Sequence, residues 1–207
     1  MKGLLLKDVL ALKKQGKVYF LILGFYLVFS VATENTSMLG GMIILLCVMM
    51  PITTLSYDEY CKWDKYALSM PIARKTVVLS KYLFGILITL AGTVLATVFS
   101  VLIVLLTKQT GIIEALLVPV AIGAVAILFL SCILPILIKF GVEKGRMLMM
   151  LVIFIPTMLV MIIPKPKLVE PSKQMLTLMI GCIPVIIIVI LLLSIKLSIA
   201  IYNKKEF

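Results

Sequence analysis

The sequence YLFGILITLAGTVLATVFSVLIVLLT, residues 82–107, contains no charged side chain over its whole length. A helix that crosses the hydrocarbon core of a bilayer needs about 20 apolar residues, so this run is long enough to span a membrane. Backbone groups inside a bilayer must be paired within their own segment, and the run lacks the alternating pattern of a barrel strand. It is therefore predicted to be a transmembrane helix.

Five further apolar runs surround this one, each bounded by polar residues. The six runs cover residues 18–33, 38–55, 82–107, 112–138, 147–163 and 175–201. Of the 207 residues, 63% are hydrophobic and 14% are charged, whereas soluble domains are about 45–50% apolar. We expect an all-α integral membrane protein with six transmembrane helices. Residues 1–207 form a single membrane domain, with no room for a separate soluble catalytic domain.

The basic residues predict the orientation of these spans. Sixteen of the 20 lysines and arginines lie on one side, in the segments 1–17, 56–81, 139–146 and 196–205. Because cytoplasmic loops carry the excess of Lys and Arg, both termini are predicted to be cytoplasmic. The net charge of +11 flanks apolar spans and does not form one basic face, so anionic membrane lipid is the expected partner and nucleic acid is not.

The first 17 residues are predicted to form an amphipathic helix. Leu5, Leu6 and Val9 share one arc of a helical wheel, while Lys7 and Asp8 lie opposite. Such a helix would lie flat at the cytoplasmic membrane interface. The alternative is a plain positive topology signal.

Several kinds of chemistry are missing from the sequence. It has no histidine and no glycine-rich phosphate loop, and its four cysteines share no metal-ligand spacing. We expect no catalytic residue, no bound cofactor and no metal site in this chain, which is predicted not to be an enzyme on its own. The cysteines are interpreted as small apolar fillers.

Two features predict how the spans pack. Gly92, Ala96 and Ser100 recur every four residues and would form a smooth stripe for close helix packing; the alternative is that small residues are simply frequent in membrane helices. The sixth run would be about 40 Å long as a helix, longer than the roughly 30 Å hydrocarbon core. A break at Pro184 would make its outer part a re-entrant or protruding piece.

The long polar segment SYDEYCKWDKYALSMPIARKTVVLSK, residues 56–81, separates the second and third runs. Residues 57–69 contain no Gly or Pro and carry aromatic side chains every three residues, which predicts a helix with its aromatics along one side. Two interpretations compete. The aromatics anchor an interfacial helix among the lipid headgroups, or they insert into a groove on a cytosolic partner.

The motifs of this segment resemble those of a known family. They are the acidic pair 58–59, Trp63-Asp64, Tyr66, the sequence LSMP at 68–71, Arg74-Lys75 and the sequence SKY at 80–82. Together they are similar to the first cytosolic loop of small permease subunits of type-2 ABC exporters. The resemblance is closest to the branch that includes the permeases of phenol-soluble modulin exporters.

This resemblance implies a function and a set of partners. Two permeases, identical or distinct, would pair in a bacterial plasma membrane and contact two copies of a cytosolic ATPase subunit, which holds the ATP and Mg²⁺. The segment 56–81 would carry the coupling helix, and ATP-driven closure would move an apolar or amphipathic substrate, such as a peptide, outward by alternating access. The residues predicted to couple are Asp58, Glu59, Trp63, Tyr66, Pro71 and Arg74.

Two other functions fit the composition. A substrate-binding membrane component of a vitamin importer also has about six spans and no ATP site, but it would show small-residue stripes in its first span, and residues 21–29 show few. A membrane scaffold or assembly protein without transport activity would show no nucleotide-dependent change in shape.

Overall fold

The protein is a bundle of α-helices. The computed structural model describes residues 2–33, 36–70, 73–107, 111–162 and 173–205, and no strand occurs among them. The helices in these ranges are α1 (Lys2–Lys13), α2 (Gly16–Thr33), α3 (Thr36–Tyr60), α4 (Trp63–Ser69), α5 (Arg74–Thr107), α6 (Ile112–Phe140), α7 (Val142–Ile162) and α8 (Lys173–Lys204).

Within the part of the chain that the structure describes, four helices are long and apolar enough to cross a membrane: α3, α5, α6 and α8. They correspond to the second, third, fourth and sixth predicted runs. The first and fifth runs fall on α2 and α7, and the described apolar part of α2, Gly16–Ser30, is shorter than a full span. The predicted break at Pro184 is wrong, because α8 continues through this proline; the preceding connection, residues 163–172, lies outside the described residues.

Proline is tolerated within these helices in general. Pro51 lies inside α3, and Pro119 and Pro135 lie inside α6. Each proline removes one backbone donor, and neighbouring helices and side chains can satisfy the carbonyl that it frees. Kinked but continuous helices are therefore compatible with the apolar runs seen in the sequence.

The segment 56–81 is more helical, and more broken, than its pattern predicts. Residues 57–60 form the last turn of α3, and α5 begins at Arg74, well before the predicted start of the third span. The predicted single helix over 57–69 is wrong. The chain turns at Cys61 and Lys62, where Lys62 adopts the left-handed conformation with φ of 51°, and a separate short helix, α4, follows.

The centre of the bundle is the contact between α3 and α5. Ala96 is fully buried, Ser100 is nearly so, and both lie on the side of α5 that faces α3. At Gly92, an added Cβ would lie 2.5 Å from Cys47 Sγ. This glycine therefore allows a closer approach of the two helices than any other residue would, which matters because lipid tails supply no hydrophobic drive between helices.

A small hydroxyl network joins α5, α6 and α8. The Tyr82 hydroxyl lies 2.6 Å from Ser194 Oγ and 2.7 Å from Ser198 Oγ, and Ser194 donates to the Ser131 carbonyl. Since the single Ser194 hydrogen is used on that carbonyl, Tyr82 donates to Ser194 and accepts from Ser198. All four residues are buried, so the network satisfies polar groups that would otherwise be orphaned in an apolar bundle.

Candidate functional site

Four charged side chains meet at the end of the bundle where α1 lies. We call Lys7 and Asp8 of α1, Asp58 of α3 and Lys81 of α5 the ionic cluster. Lys81 Nζ lies 2.7 Å from Asp8 Oδ1 and 2.5 Å from Asp58 Oδ2, and Lys7 Nζ lies 2.5 Å from Asp58 Oδ1 and 3.5 Å from Asp8 Oδ1. Two cations and two anions therefore form a closed ring of contacts with no net charge.

Burial makes this ring consequential. The Asp8 side chain is 1% exposed and that of Lys81 is 7% exposed, and a buried charge is tolerated only when it is paired. Asp8 Oδ2 has no hydrogen-bond partner among the described residues. The buried negative charge of Asp8 is therefore compensated by the two lysines. The cluster holds α1 against the ends of α3 and α5.

Helix α1 faces the bundle with a mixed side. Leu4 and Asp8 are buried, while Leu6, Val9 and Leu10 are more than half exposed. Lys7 and Asp8 of the predicted polar arc contact the bundle, and Leu6 and Val9 of the predicted apolar arc are exposed, whereas Leu5 of that arc is only partly exposed. An interfacial helix with this arrangement can insert its exposed leucines and valine among lipid chains.

The short helix α4 packs on the ionic cluster through its first residue. Lys7 Nζ lies 4.3 Å from the centre of the Trp63 ring, a cation–π contact, and this ring lies 5.4 Å from that of Tyr66. Trp63 is partly buried, whereas Tyr66 is 58% and Tyr60 is 87% exposed. The left-handed turn at Lys62 thus divides the aromatic series, and two tyrosines remain available at the surface.

Glu59 connects the same segment to α7. Its Oε2 accepts a hydrogen bond from the backbone N–H of Val142, the first residue of α7, at 2.5 Å. A carboxylate is favourable at this position because the N-terminus of a helix carries unsatisfied donors and a partial positive charge. Gly141 precedes it with φ of 80°, and an added Cβ there would lie 2.5 Å from Glu59 Oε1. The glycine both allows the backbone conformation and leaves room for the carboxylate.

The C-terminal end of α8 closes the arrangement. The Tyr202 hydroxyl donates to Asp64 Oδ1 of α4 at 3.0 Å, and Arg74 Nη1 donates to the Asn203 carbonyl at 2.7 Å. Tyr202 is buried. Through these contacts α4 and the start of α5 are joined to the end of α8.

The six predicted coupling residues therefore occupy different environments. Asp58, Glu59 and Arg74 bind other parts of this chain, Trp63 packs against Lys7, and Tyr66 is exposed. Pro71 lies outside the described residues. The side chains of the site that were not among the predicted coupling residues are Lys7, Asp8, Lys81, Asp64 and Tyr202. One signal was available for this group, since Asp8 is the only acidic residue in the first 33 positions.

The described residues contain no group of three or more His, Cys, Asp or Glu side chains that could hold a metal ion. Between the ends of α3, α5, α6 and α8 lies a cavity of about 50 Å³, lined by Asp58, Glu59, Asp64, Lys81 and Tyr202 among others. This volume suits one or a few water molecules. The contacts of this site join α1, α3, α4, α5, α7 and α8.

An all-helical bundle with four long apolar helices and its buried charges collected at one end is a multi-pass membrane protein. The family model described as ABC-2 family transporter protein matches residues 3–203, almost the whole chain. The protein belongs to this family, whose members are permeases of ABC transporters and associate with an ABC ATPase subunit. No curated protein and no solved structure matched the chain.

Family membership gives the site a context. The permease is a membrane transport component and is not itself the catalytic subunit of the transporter. Membership of this family favours the permease interpretation over a vitamin-importer component or a scaffold.

Proposed function

We propose that this chain is the permease half of an ATP-driven exporter. In this proposal it crosses a bacterial plasma membrane six times with both termini in the cytoplasm. ATP and Mg²⁺ are bound by a separate ATPase subunit. The family match over residues 3–203 carries the proposal, and the resemblance of the segment 56–81 to the permeases of phenol-soluble modulin exporters supports the exporting direction.

The orientation is supported by where the charges lie. The segments predicted to be cytoplasmic include α1, the end of α3 and the start of α5, and these contribute the four members of the ionic cluster. The same end carries α4 with the exposed Tyr60 and Tyr66. A cytosolic subunit that binds this end would therefore contact the two exposed tyrosines, and the ionic cluster would lie behind them.

In the proposed coupling contact, the two exposed tyrosines bind the ATPase. Asp58, Glu59 and Trp63 act behind them, because each is engaged by another helix of the permease. A displacement of α4 and the end of α3 would pass to α1 and α5 through the ionic cluster, to α7 through Glu59, and to α8 through Tyr202. One cytosolic contact on α4 and the end of α3 would thereby reach four further helices.

The substrate is proposed to be apolar or amphipathic, such as a peptide. Residues 82–107 of α5 carry no charge, and the buried polar groups described deep between the helices are hydroxyls such as Tyr82 and Ser194. An ion-coupled transporter would need an ionisable group near mid-membrane. Export by two paired permeases, as a homodimer or a heterodimer, with two ATPase copies follows from the same proposal.

The proposal is tested by co-expressing the full chain with its candidate ATPase subunit and purifying the assembly in detergent. Tyr60→Ala combined with Tyr66→Ala is expected to weaken ATPase binding by about thirtyfold, since two aromatic anchors each contribute at least about 1 kcal/mol to such contacts. The measurements are the amount of ATPase retained and the rate of ATP hydrolysis.

Phe25→Ala is the matched control. Phe25 is an aromatic residue of α2 that is 63% exposed, similar to Tyr66, but lies outside the proposed contact. The control should retain the ATPase. If the unchanged permease fails to bind the ATPase, or the double variant binds it as well as Phe25→Ala does, the coupling assignment is wrong.

A further inference from the structure

An apolar groove lies beside the ionic cluster, between α1 and α2 on one side and α3 and α5 on the other. Its volume is about 410 Å³, within the roughly 300–1,000 Å³ of typical ligand pockets. Its walls are aliphatic and aromatic, and among the residues that form them are Leu12, Tyr19, Leu23, Leu46, Met50 and Leu95. None of the described residues that line it is acidic.

The groove is open to the outside of the bundle. Val9 and Leu10 of α1 and Phe20 of α2 line it, and each is more than half exposed, Phe20 reaching 79%. In a membrane these side chains face lipid. A molecule could therefore enter the groove sideways from the bilayer without passing through the protein.

A cationic rim borders this apolar space. Lys13, the last residue of α1, lines the groove. Lys14 follows it in the connection to α2, and Lys17 lies in the first turn of α2, next to Gly16, which also lines the groove. All three lysines are exposed. No carboxylate among the described residues pairs with them. The nearest acidic residue in sequence, Asp8, is already bound by Lys81. Three lysines that pair with no carboxylate among the described residues thus line this apolar groove or directly neighbour a residue that lines it.

We propose that this groove binds an anionic phospholipid, with one acyl chain between α1, α2 and α3 and the phosphate group at Lys13, Lys14 and Lys17. A second copy of the chain is a poor occupant, because a two-fold contact here would bring identical lysine rims together and like charges repel. A zwitterionic lipid would fill the slot but leave the positive charge uncompensated. The proposal does not depend on the direction of transport.

The bound lipid would also support the ionic cluster. Lys7 and Asp8 lie on α1, one to two turns before Lys13, so a lipid that fills the space beneath α1 holds this helix in the position where the cluster forms. The site is thereby linked to α4 through Lys7 and Trp63.

The test uses the full chain purified in detergent and titrated with phosphatidylglycerol or with phosphatidylcholine of the same acyl chains, with bound lipid counted by native mass spectrometry. We expect saturable binding of one phosphatidylglycerol per chain and at least tenfold weaker binding of phosphatidylcholine. Lys13→Gln and Lys17→Gln should each weaken phosphatidylglycerol binding by about fivefold, the contribution of one basic residue near an anionic lipid surface. These exposed lysines can be changed without altering the bundle interior.

Leu46→Trp tests the apolar part, with Leu45→Trp as its control. Leu46 lines the groove, whereas its neighbour Leu45 is 50% exposed and does not line it. Leu46→Trp should lower phosphatidylglycerol affinity at least tenfold and Leu45→Trp should leave it unchanged. Equal binding of the two lipids, equal effects of the two tryptophans, or unchanged binding after both lysine substitutions would each overturn the proposal. So would a dimer that Leu46→Trp dissociates and that binds no lipid at this stoichiometry.

Discussion

Helix α3 takes part in two contacts of opposite character. Along its apolar length it packs against α5, where Gly92 leaves space for Cys47 and Ala96 is completely buried. At its last turn it places Asp58 between two lysines. The first contact is spread over many weak dispersion interactions, whereas the second is concentrated in a few charged atoms.

The difference follows from the surroundings of each region. The hydrophobic effect contributes little to the association of helices in lipid, because lipid tails are as apolar as the side chains. Van der Waals contacts between closely packed backbones have to supply the attraction. At the polar end, water competes for every charge, and a pair gains most when it is buried and fully partnered. The ionic cluster can be broken or reformed by a small displacement of one helix, such as binding of a subunit would cause. The α3–α5 interface, whose contacts are spread along both helices, moves as a unit.

The largest expected effect comes from breaking the ionic cluster. Asp58→Asn keeps the size of the side chain but leaves Lys7 and Lys81 with Asp8 as their only carboxylate in the cluster. Removing one partner of a buried ion pair costs about 3–5 kcal/mol because the remaining charge is uncompensated, and Asp58 is only 13% exposed. We expect a loss of about 3 kcal/mol, measured as a lower midpoint of thermal unfolding in detergent.

Two comparisons make this result specific to the cluster. Lys65→Gln changes an exposed charge on α4 and should leave the midpoint unchanged. Lys7→Met added to Asp58→Asn should recover part of the loss, because Asp8 and Lys81 then remain as a neutral pair. If the two losses simply add, the four residues do not act as a unit.

The sequence pattern predicted the all-helical class and four of the long apolar helices, but it predicted the polar end of the bundle poorly. Apolar runs found α3, α5, α6 and α8 because hydropathy is local information. The turn at Lys62 was missed because no Gly or Pro marks it. Just before this turn, two acidic residues of α3 bind partners that are distant in sequence: Asp58 binds Lys81, and Glu59 binds the start of α7. Contacts of this range leave no trace in local spacing.

Helix α1 shows a second limit. The wheel placed Leu6 and Val9 opposite Asp8, but periodicity cannot say whether protein, lipid or water covers each side of a helix. Asp8 faces the bundle because Lys81 of α5 offers it a partner there, while Leu6 and Leu10 face outward. The side of α1 that faces the bundle is therefore determined by the position of Lys81, a lysine more than 70 residues away from Asp8 in the sequence.

A smaller effect is expected when the distributed interface is overpacked. Gly92→Ala would place a Cβ 2.5 Å from Cys47 Sγ and 2.8 Å from Cys47 Cβ, which forces α3 and α5 apart and costs about 1–3 kcal/mol. The unfolding midpoint in detergent should fall. Gly24→Ala is the control, because an added Cβ there meets nothing within 4 Å; with the better helix propensity of alanine it should be neutral or slightly stabilising. Equal behaviour of the two variants would mean that the interface is loosely packed.

The smallest effect concerns one directional contact at the polar end. Tyr202→Phe keeps the buried ring but removes the hydroxyl that donates to Asp64, and loss of a single hydrogen bond costs about 1 kcal/mol. Tyr60→Phe, at an 87% exposed position, should cost nothing. Because Tyr202 joins α8 to α4, amide hydrogen exchange in residues 63–69 should rise in Tyr202→Phe while exchange at the α3–α5 contact stays unchanged. A rise throughout the bundle would contradict the distinction drawn between the two regions, since a concentrated contact should yield locally when one of its bonds is removed.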